Sequence, residues 1–201
     1  MVLGVLLSLL FAAHWTEGYA DMIQKGIGGK VVRFHVLANS DSEADQTLKL
    51  AVRDRVLQEY GDLLETCTSK EETLAALKNA QQEISETAEA EVLAQGYTYP
   101  VRVSLVREEF PFKKYGDLIF PAGLYDALRI EIGEAKGKNW WCVLYPQMCY
   151  VDAAWGYSTE ESHVRLQNTL TKEEFLVVSA MEQKKVAPKI KCRLVELWSE
   201  R

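Results

Sequence analysis

Residues 110–152 read FPFKKYGDLIFPAGLYDALRIEIGEAKGKNWWCVLYPQMCYVD, and this stretch decides the fold. Its short apolar segments are separated by Tyr115-Gly116-Asp117, by Pro121-Ala122-Gly123 and by a turn running from Gly133 to Gly137. Gly and Pro turns between short apolar runs are the pattern of antiparallel strands. Strands are predicted around 118–120, 125–132 and 139–145. In the middle one, Tyr125, Ala127, Arg129 and Glu131 oppose Asp126, Leu128, Ile130 and Ile132, because successive side chains leave a strand on opposite faces. Trp140, Trp141 and Cys142 stand side by side near the end of the stretch, with Cys149 following.

Upstream, residues 98–108 alternate Val101, Val103 and Leu105 with Arg102, Ser104 and Val106, which predicts another strand. Residues 30–37, KVVRFHVL, set Val32, Phe34 and Val36 against Arg33, His35 and Leu37, a strand half buried or better. Between these strands lie two amphipathic segments. Ala38-Asn39-Ser40-Asp41-Ser42 is rich in capping residues, and Asp41 or Ser42 starts a helix over 43–64. Its stripe is Leu48, Val52, Val56, Tyr60 and Leu63, widened by Leu57 and Leu64, with Lys49, Arg53, Asp54, Arg55 and Glu59 on the solvated sides. Ser69 with Glu72 makes a capping-box pattern for a second helix over 70–95, with Leu74, Leu77, Ile84, Ala88 and Val92 inward and Gly96 as its stop. One strand, two helices and an antiparallel run give an α+β fold: an antiparallel β-meander sheet with a two-helix layer inserted after the first strand. Residues 156–201 read as a wrapping tail. Within it, Thr171 and Glu174 cap a short helix to about 181, and Pro188 precedes a segment over 190–198 that is helix or strand.

A chain of 201 residues suits one domain. The net charge of −6 and the lack of a basic stripe argue against a nucleic-acid partner; the Lys184-Lys185 to Lys191 patch is short and broken by Pro188. Val2 to Ala13 is apolar almost throughout, too short to span a bilayer comfortably and suited to the core of an export signal. Gly18-Tyr19-Ala20 supplies small residues before a cut at Asp21, although no Lys or Arg precedes Lys25. Residues 1–20 are therefore expected to be a signal peptide or hydrophobic anchor. Residues 21–201 are then one extracytoplasmic domain that meets the membrane only through that leader.

Export puts the four cysteines in an oxidising compartment. None has C-x-x-C spacing, so no structural zinc is expected, and no cofactor or metal is predicted. A reversal at Tyr145-Pro146, an aromatic-proline pair that can take a cis bond, places Cys142 opposite Cys149. The two either form a disulfide or sit as small buried hydrophobes. Cys67 and Cys192 pair or stay reduced. Asn39, Asp41, Glu43 and Asp45 alternate like a calcium loop, but that frame has Ala44 where Gly is needed and Leu50 where Glu is needed, so helix capping accounts for them. Cys142, His35 and Asp117 supply the residue types of a cysteine hydrolase without a local signature. His163 is placed in a polar loop and Glu108-Glu109 in a solvated turn. Trp140 and Trp141, adjacent on a strand, point to opposite faces. One is then core, and the other is either covered by the tail or an exposed anchor for a partner.

Two segments together resemble one family. Residues 31–54, VVRFHVLANSDSEADQTLKLAVRD, resemble the opening of the stage II sporulation protein R family, and the YGDLIFPAGLYDALR and IGEAKGKNWWCVLYP runs with Cys149 and Asp152 resemble its second block. The resemblance covers most of 30–155. It implies a secreted developmental signal of endospore-forming bacteria, made in the forespore and exported to the space between the two membranes. There such a protein triggers a membrane-embedded aspartic protease that removes the pro-sequence of the sporulation sigma-E precursor. The resemblance implies an activator with no catalysis of its own; the alternative is a secreted cysteine-dependent hydrolase of the cell envelope. No contact surface carries over from the family. The residues themselves suggest Asn39, Asp41 and the exposed member of Trp140-Trp141.

Overall fold

A computed structural model describes residues 18–149 and 160–180. A helix over residues 18–30 (α1) leads into β1 (Val32–Leu37), followed by α2 (Glu43–Glu65), α3 (Lys70–Asn79) and α4 (Gln81–Ala94). Then come β2 (Val101–Phe110), β3 (Lys113–Tyr115), β4 (Leu118–Phe120), β5 (Gly123–Ile132) and β6 (Asn139–Tyr145), and finally α5 (Glu160–Thr169) and α6 (Lys172–Ala180). The leader core, Asp152, Cys192 and the segment 190–198 lie outside the described residues. Among the described residues no helix is long and apolar enough to cross a membrane.

The α+β class is as expected, but the meander is not. The main sheet is mixed, in the order β2-β5-β1-β6, with β3 and β4 forming a separate two-stranded sheet. β1 lies between β5, to which it is parallel, and β6, to which it is antiparallel. Its burial explains the place. All but the last of its residues are buried, on both faces, and such a strand belongs in the middle of a sheet covered on both sides. The strand is thus buried on both faces, within the expectation of half buried or better, and Arg33 and His35 are buried with it.

The first face carries the helices between β1 and β2. Val32, Phe34, Val36, Leu128, Ile130, Cys142 and Leu144 pack with Leu48, Val52, Val56, Leu64, Ile84, Ala88 and Val92. Leu64 completes the α2 stripe, whereas Leu63 is exposed. Lys49, expected in water, is buried and donates to Gln46 Oε1 (2.6 Å) and the Lys138 carbonyl (2.9 Å). The second helix is two helices hinged at buried Ala80 (φ −88°, ψ 0°), and Gln81 Nε2 at the hinge donates to Val103 O, tying α4 to β2. Three helices, rather than two, cover this face. Ser42 and Ser69 cap α2 and α3 through the N–H groups of Asp45 and Glu72.

The second face has its own core. Phe110, Tyr125, Ala127 and Val143 from the sheet meet Ile23 and Ile27 of α1, Leu118 and Phe120 of β4, Leu166 of α5, Leu170 just after it and Val178 of α6. The Thr171–Glu174 capping box forms, with Thr171 N–H donating to Glu174 Oε2 (2.7 Å) and Glu174 N–H to Thr171 Oγ1 (3.2 Å).

After β6 the chain reverses at a cis Tyr145–Pro146 bond, and Met148 N–H donates to Val143 O (3.0 Å). Cys142 and Cys149, with Cα atoms 5.3 Å apart, are joined by a disulfide, while Cys67 is a half-buried free thiol. A loop this short restricts the unfolded chain by roughly 2.5 kcal/mol. The Cys142→Ala/Cys149→Ala protein is expected to lose about 2–3 kcal/mol in urea unfolding and to become insensitive to reductant. An unchanged midpoint would mean the bridge adds nothing to stability.

Candidate interaction site

The Asn39–Ser42 loop is a clamp. In this strand order the β5–β6 connection, residues 133–138, must cross over the end of β1, a span of about 10 Å that a two-residue hairpin turn does not cover. The loop leaving β1 holds this crossing down. Gly137 and Lys136 N–H donate to the carbonyls of Ala38 (2.9 Å) and Asn39 (3.2 Å). Glu134 N–H donates to Asn39 Oδ1 (2.9 Å), and Lys138 N–H donates to Asp41 Oδ1 (2.7 Å). Asn39 Nδ2 donates to Asp45 Oδ2 (2.9 Å), and Ser40 Oγ donates to the same oxygen (2.5 Å). These bonds, Ser40's first and then Asn39's, hold the Asp45 carboxyl below the usual carboxylate range. Both polar ends of Asn39 are thus engaged within the protein. Asp41 remains exposed, its Oδ1 accepting the bond from Lys138.

The clamp sets the start of β6 and with it the tryptophans. Both are half buried, on opposite faces. Trp140 faces the helical core, edge-on to Phe34 (5.7 Å), with the Arg53 guanidinium 4.8 Å from its ring centre. Trp141 lies on the second face, stacked on His35 (4.8 Å, 17°) and edge-on to Phe110, with Lys113 Nζ 5.1 Å from its ring centre.

Register places four residues of the second face in one row across the sheet: Ser104, Arg129, His35 and Trp141. The next row is Arg102, Glu131, Leu37 and Asn139. Except for buried His35 and exposed Arg102, these residues are partly accessible. Among the described residues, the buried atoms Ser104 Oγ, Arg129 Nε, both His35 nitrogens and Asn139 Oδ1 find no hydrogen-bond partner. These rows form a part-exposed patch around the half-open Trp141 indole. Glu108, expected in a turn, is in β2, and its carboxylate joins Arg129 (3.1 Å).

His35 gives this patch a pH response. Burial, then the charges of Arg129 and Arg33, pushes its pKa down to about 3. Glu108 Oε1 lies 2.6 Å from Nε2 but outside hydrogen-bonding geometry, and Arg129 already offsets its charge. The folded protein therefore binds fewer protons here than the unfolded chain, whose histidine titrates near 6.5. Stability should be full above about pH 6.5 and fall towards pH 3, by at most about 1.4 kcal/mol per unit. His35→Phe should flatten the profile from pH 6.5 to 4. A wild-type profile already flat there would show that Glu108 keeps the imidazole charged.

The residue types of a cysteine hydrolase are not brought together. Cys142 is in the disulfide and faces the helical core, whereas His35 faces the other side of the sheet. Asp117 pairs with His163 (2.9 Å), which is on α5 rather than in a loop. Among the described residues no three His, Cys, Asp or Glu side chains gather as around a metal ion.

Residues 28–155 match the family model for stage II sporulation protein R. The chain is also 32% identical over 184 residues to the stage II sporulation protein R of Bacillus subtilis (strain 168), a match covering 87% of this chain and 82% of that protein. No solved structure matches.

Proposed function

Because the chain belongs to the stage II sporulation protein R family, and so has a role in sporulation, we propose that it is an exported signal that activates a membrane-embedded aspartic protease and thereby triggers maturation of the sigma-E precursor. The family match carries this reading. It is supported by the arrangement of the two family-like segments, which fold onto each other: the Asn39–Asp41 loop clamps the turn that presents Trp140 and Trp141. A Cys142 held in a disulfide, on the opposite face from His35, favours an activator over a hydrolase.

Within this reading the protease meets the second face at Trp141, with Lys113 against its ring, Arg129 and Arg102 further across the same face, and exposed Asp41 at the rim. Asn39 acts by holding the crossing, and Trp140 by fixing the strand against α2. Half-buried aromatics flanked by Arg are the residues that dominate interface energies. The test is co-expression of this protein, the protease and the precursor in a non-sporulating host. Wild type and the Cys142→Ser/Cys149→Ser variant should both give precursor shortening, whereas a folded Trp141→Ala should reduce it at least tenfold. Undiminished shortening with both Trp141→Ala and Asp41→Ala would reject the surface. No shortening with wild-type protein that is exported and folded would reject the function.

A further inference from the structure

The strand that carries the tryptophans is guided by α2 as well as by its neighbour β1. The β1–β6 ladder ends at Leu37 opposite Asn139. One residue earlier, both backbone groups of Lys138 go to side chains. Its N–H donates to Asp41 Oδ1 (2.7 Å), and its carbonyl accepts from Lys49 Nζ (2.9 Å). Lys49 is buried, although the helical pattern assigns it to water, and such a lysine gives up much of its hydration. Burial, then the Arg53 charge, lowers its pKa, while Asp41 acts to raise it. One turn further along α2, the Arg53 guanidinium carbon lies 4.8 Å from the Trp140 ring centre, and Arg53 Nε donates to Asp54 Oδ1 (2.7 Å).

The two contacts keep step. Four residues of helix advance about 6.0 Å and two residues of strand about 6.8 Å, so Lys49 and Arg53 meet Lys138 and Trp140 at matching spacing. A helix turned by one residue, about 100°, would miss both. We infer that Lys49, assisted by Arg53, is a positioning residue: α2 is a rail that fixes how β6 leaves the crossing turn. It thereby sets where Trp141, the next residue and on the opposite face, stands against His35 and Phe110. The consequence for signalling rests on the activator reading: side chains on the helical face govern the tryptophan that the partner meets on the other.

Lys49→Met keeps the aliphatic stem and removes the ammonium's hydrogen bonds, and Arg53→Met takes the cation off Trp140. Val56→Ala is the control: it opens a cavity in the core under the same helix and touches neither contact. Amide exchange and the Trp141 indole N–H resonance are measured on each folded protein, and precursor shortening by co-expression. Lys49→Met is expected to speed exchange of the amides from Lys138 to Trp141 about tenfold relative to those of β5, the scale of one hydrogen bond from a charged donor. It should also shift the indole resonance and cut shortening by about the same factor. Arg53→Met should shift the indole by less, and Val56→Ala should do none of these. Should Lys49→Met fail to fold, the indole of Arg53→Met decides. Local changes as large in Val56→Ala, or none in Lys49→Met, overturn the proposal; so does a shifted indole with undiminished shortening. If wild-type protein itself gives no shortening, the proposed function fails, and exchange and the indole still decide the positioning.

Discussion

Arg33→Ala is expected to destabilise the protein by about 3–5 kcal/mol, enough to leave little folded protein near body temperature. Arg33 is fully buried in the second core. Its guanidinium carbon lies 4.9–5.5 Å from the ring centres of Phe110, Tyr115, Phe120 and Tyr125, and Nη2 donates to the Tyr115 hydroxyl at 2.8 Å. Burial lowers its pKa, yet an arginine does not give up its proton in a protein, so the charge stays. No carboxylate pairs with it among the described residues; four aromatic faces do that work, at roughly 0.5–2 kcal/mol each. Alanine would leave a cavity beneath the β3–β4 hairpin and a buried hydroxyl without its donor. Arg33→Lys keeps the charge but not the planar fork and should cost about 1–3 kcal/mol. Arg33→Met removes the buried charge while filling most of the space, and should cost least. Urea unfolding of the three variants checks the order Ala, Lys, Met. A methionine variant as unstable as the alanine one would show that the cation–aromatic contacts outweigh the cost of burying the charge.

Gly137→Ala is expected to cost about 2–4 kcal/mol, although it adds a single methyl group on a surface turn. A Cβ there would run into the Ser40 carbonyl, backbone that cannot rotate away. The turn would lift, stretching the bonds from Gly137 and Lys138 that close the clamp. Gly133→Ala combines a left-handed φ of 60° with a collision at Asn39 Oδ1, whereas Gly29→Ala meets nothing within 4 Å on α1 and should be neutral or slightly stabilising. Thermal unfolding of the three proteins separates the clash from ordinary loss of glycine. A Gly137→Ala protein as stable as Gly29→Ala would mean the crossing is not clamped.

What could be read from the sequence was local. Ser42, Ser69 and Thr171 with Glu174 announce their helices because a cap is made within four residues. The β6 strand and, apart from Leu63, the α2 stripe follow from spacing alone. The strand order did not, since nothing near Val32 says that its partners are Asp126 and Tyr145. The overlooked sign was the six-residue stretch from Gly133 to Lys138, too long for a hairpin turn and the right length to step over a strand. Only Lys49 departs from the expected solvated side, although Arg33, His35 and Lys49 are all polar types that normally face water. Here aromatic rings, a stacked indole and a backbone carbonyl take its place. The bonds of Asn39 and Asp41 to the crossing turn depend on neighbours nearly a hundred residues away, which no local pattern reveals.

The central position of β1 also sets when this protein can fold. As the chain emerges from its N-terminus, β1 appears first among the strands but must wait for β5, roughly ninety residues later, before it has any partner. Closing so long a loop is slow, and the three helices made in the meantime have no sheet to lie on. Assembly is therefore all at once and late. A fragment ending before β5 should not retain a stable half-sheet, and a chain threaded through a membrane would stay pliable until β5, at residues 123–132, had crossed.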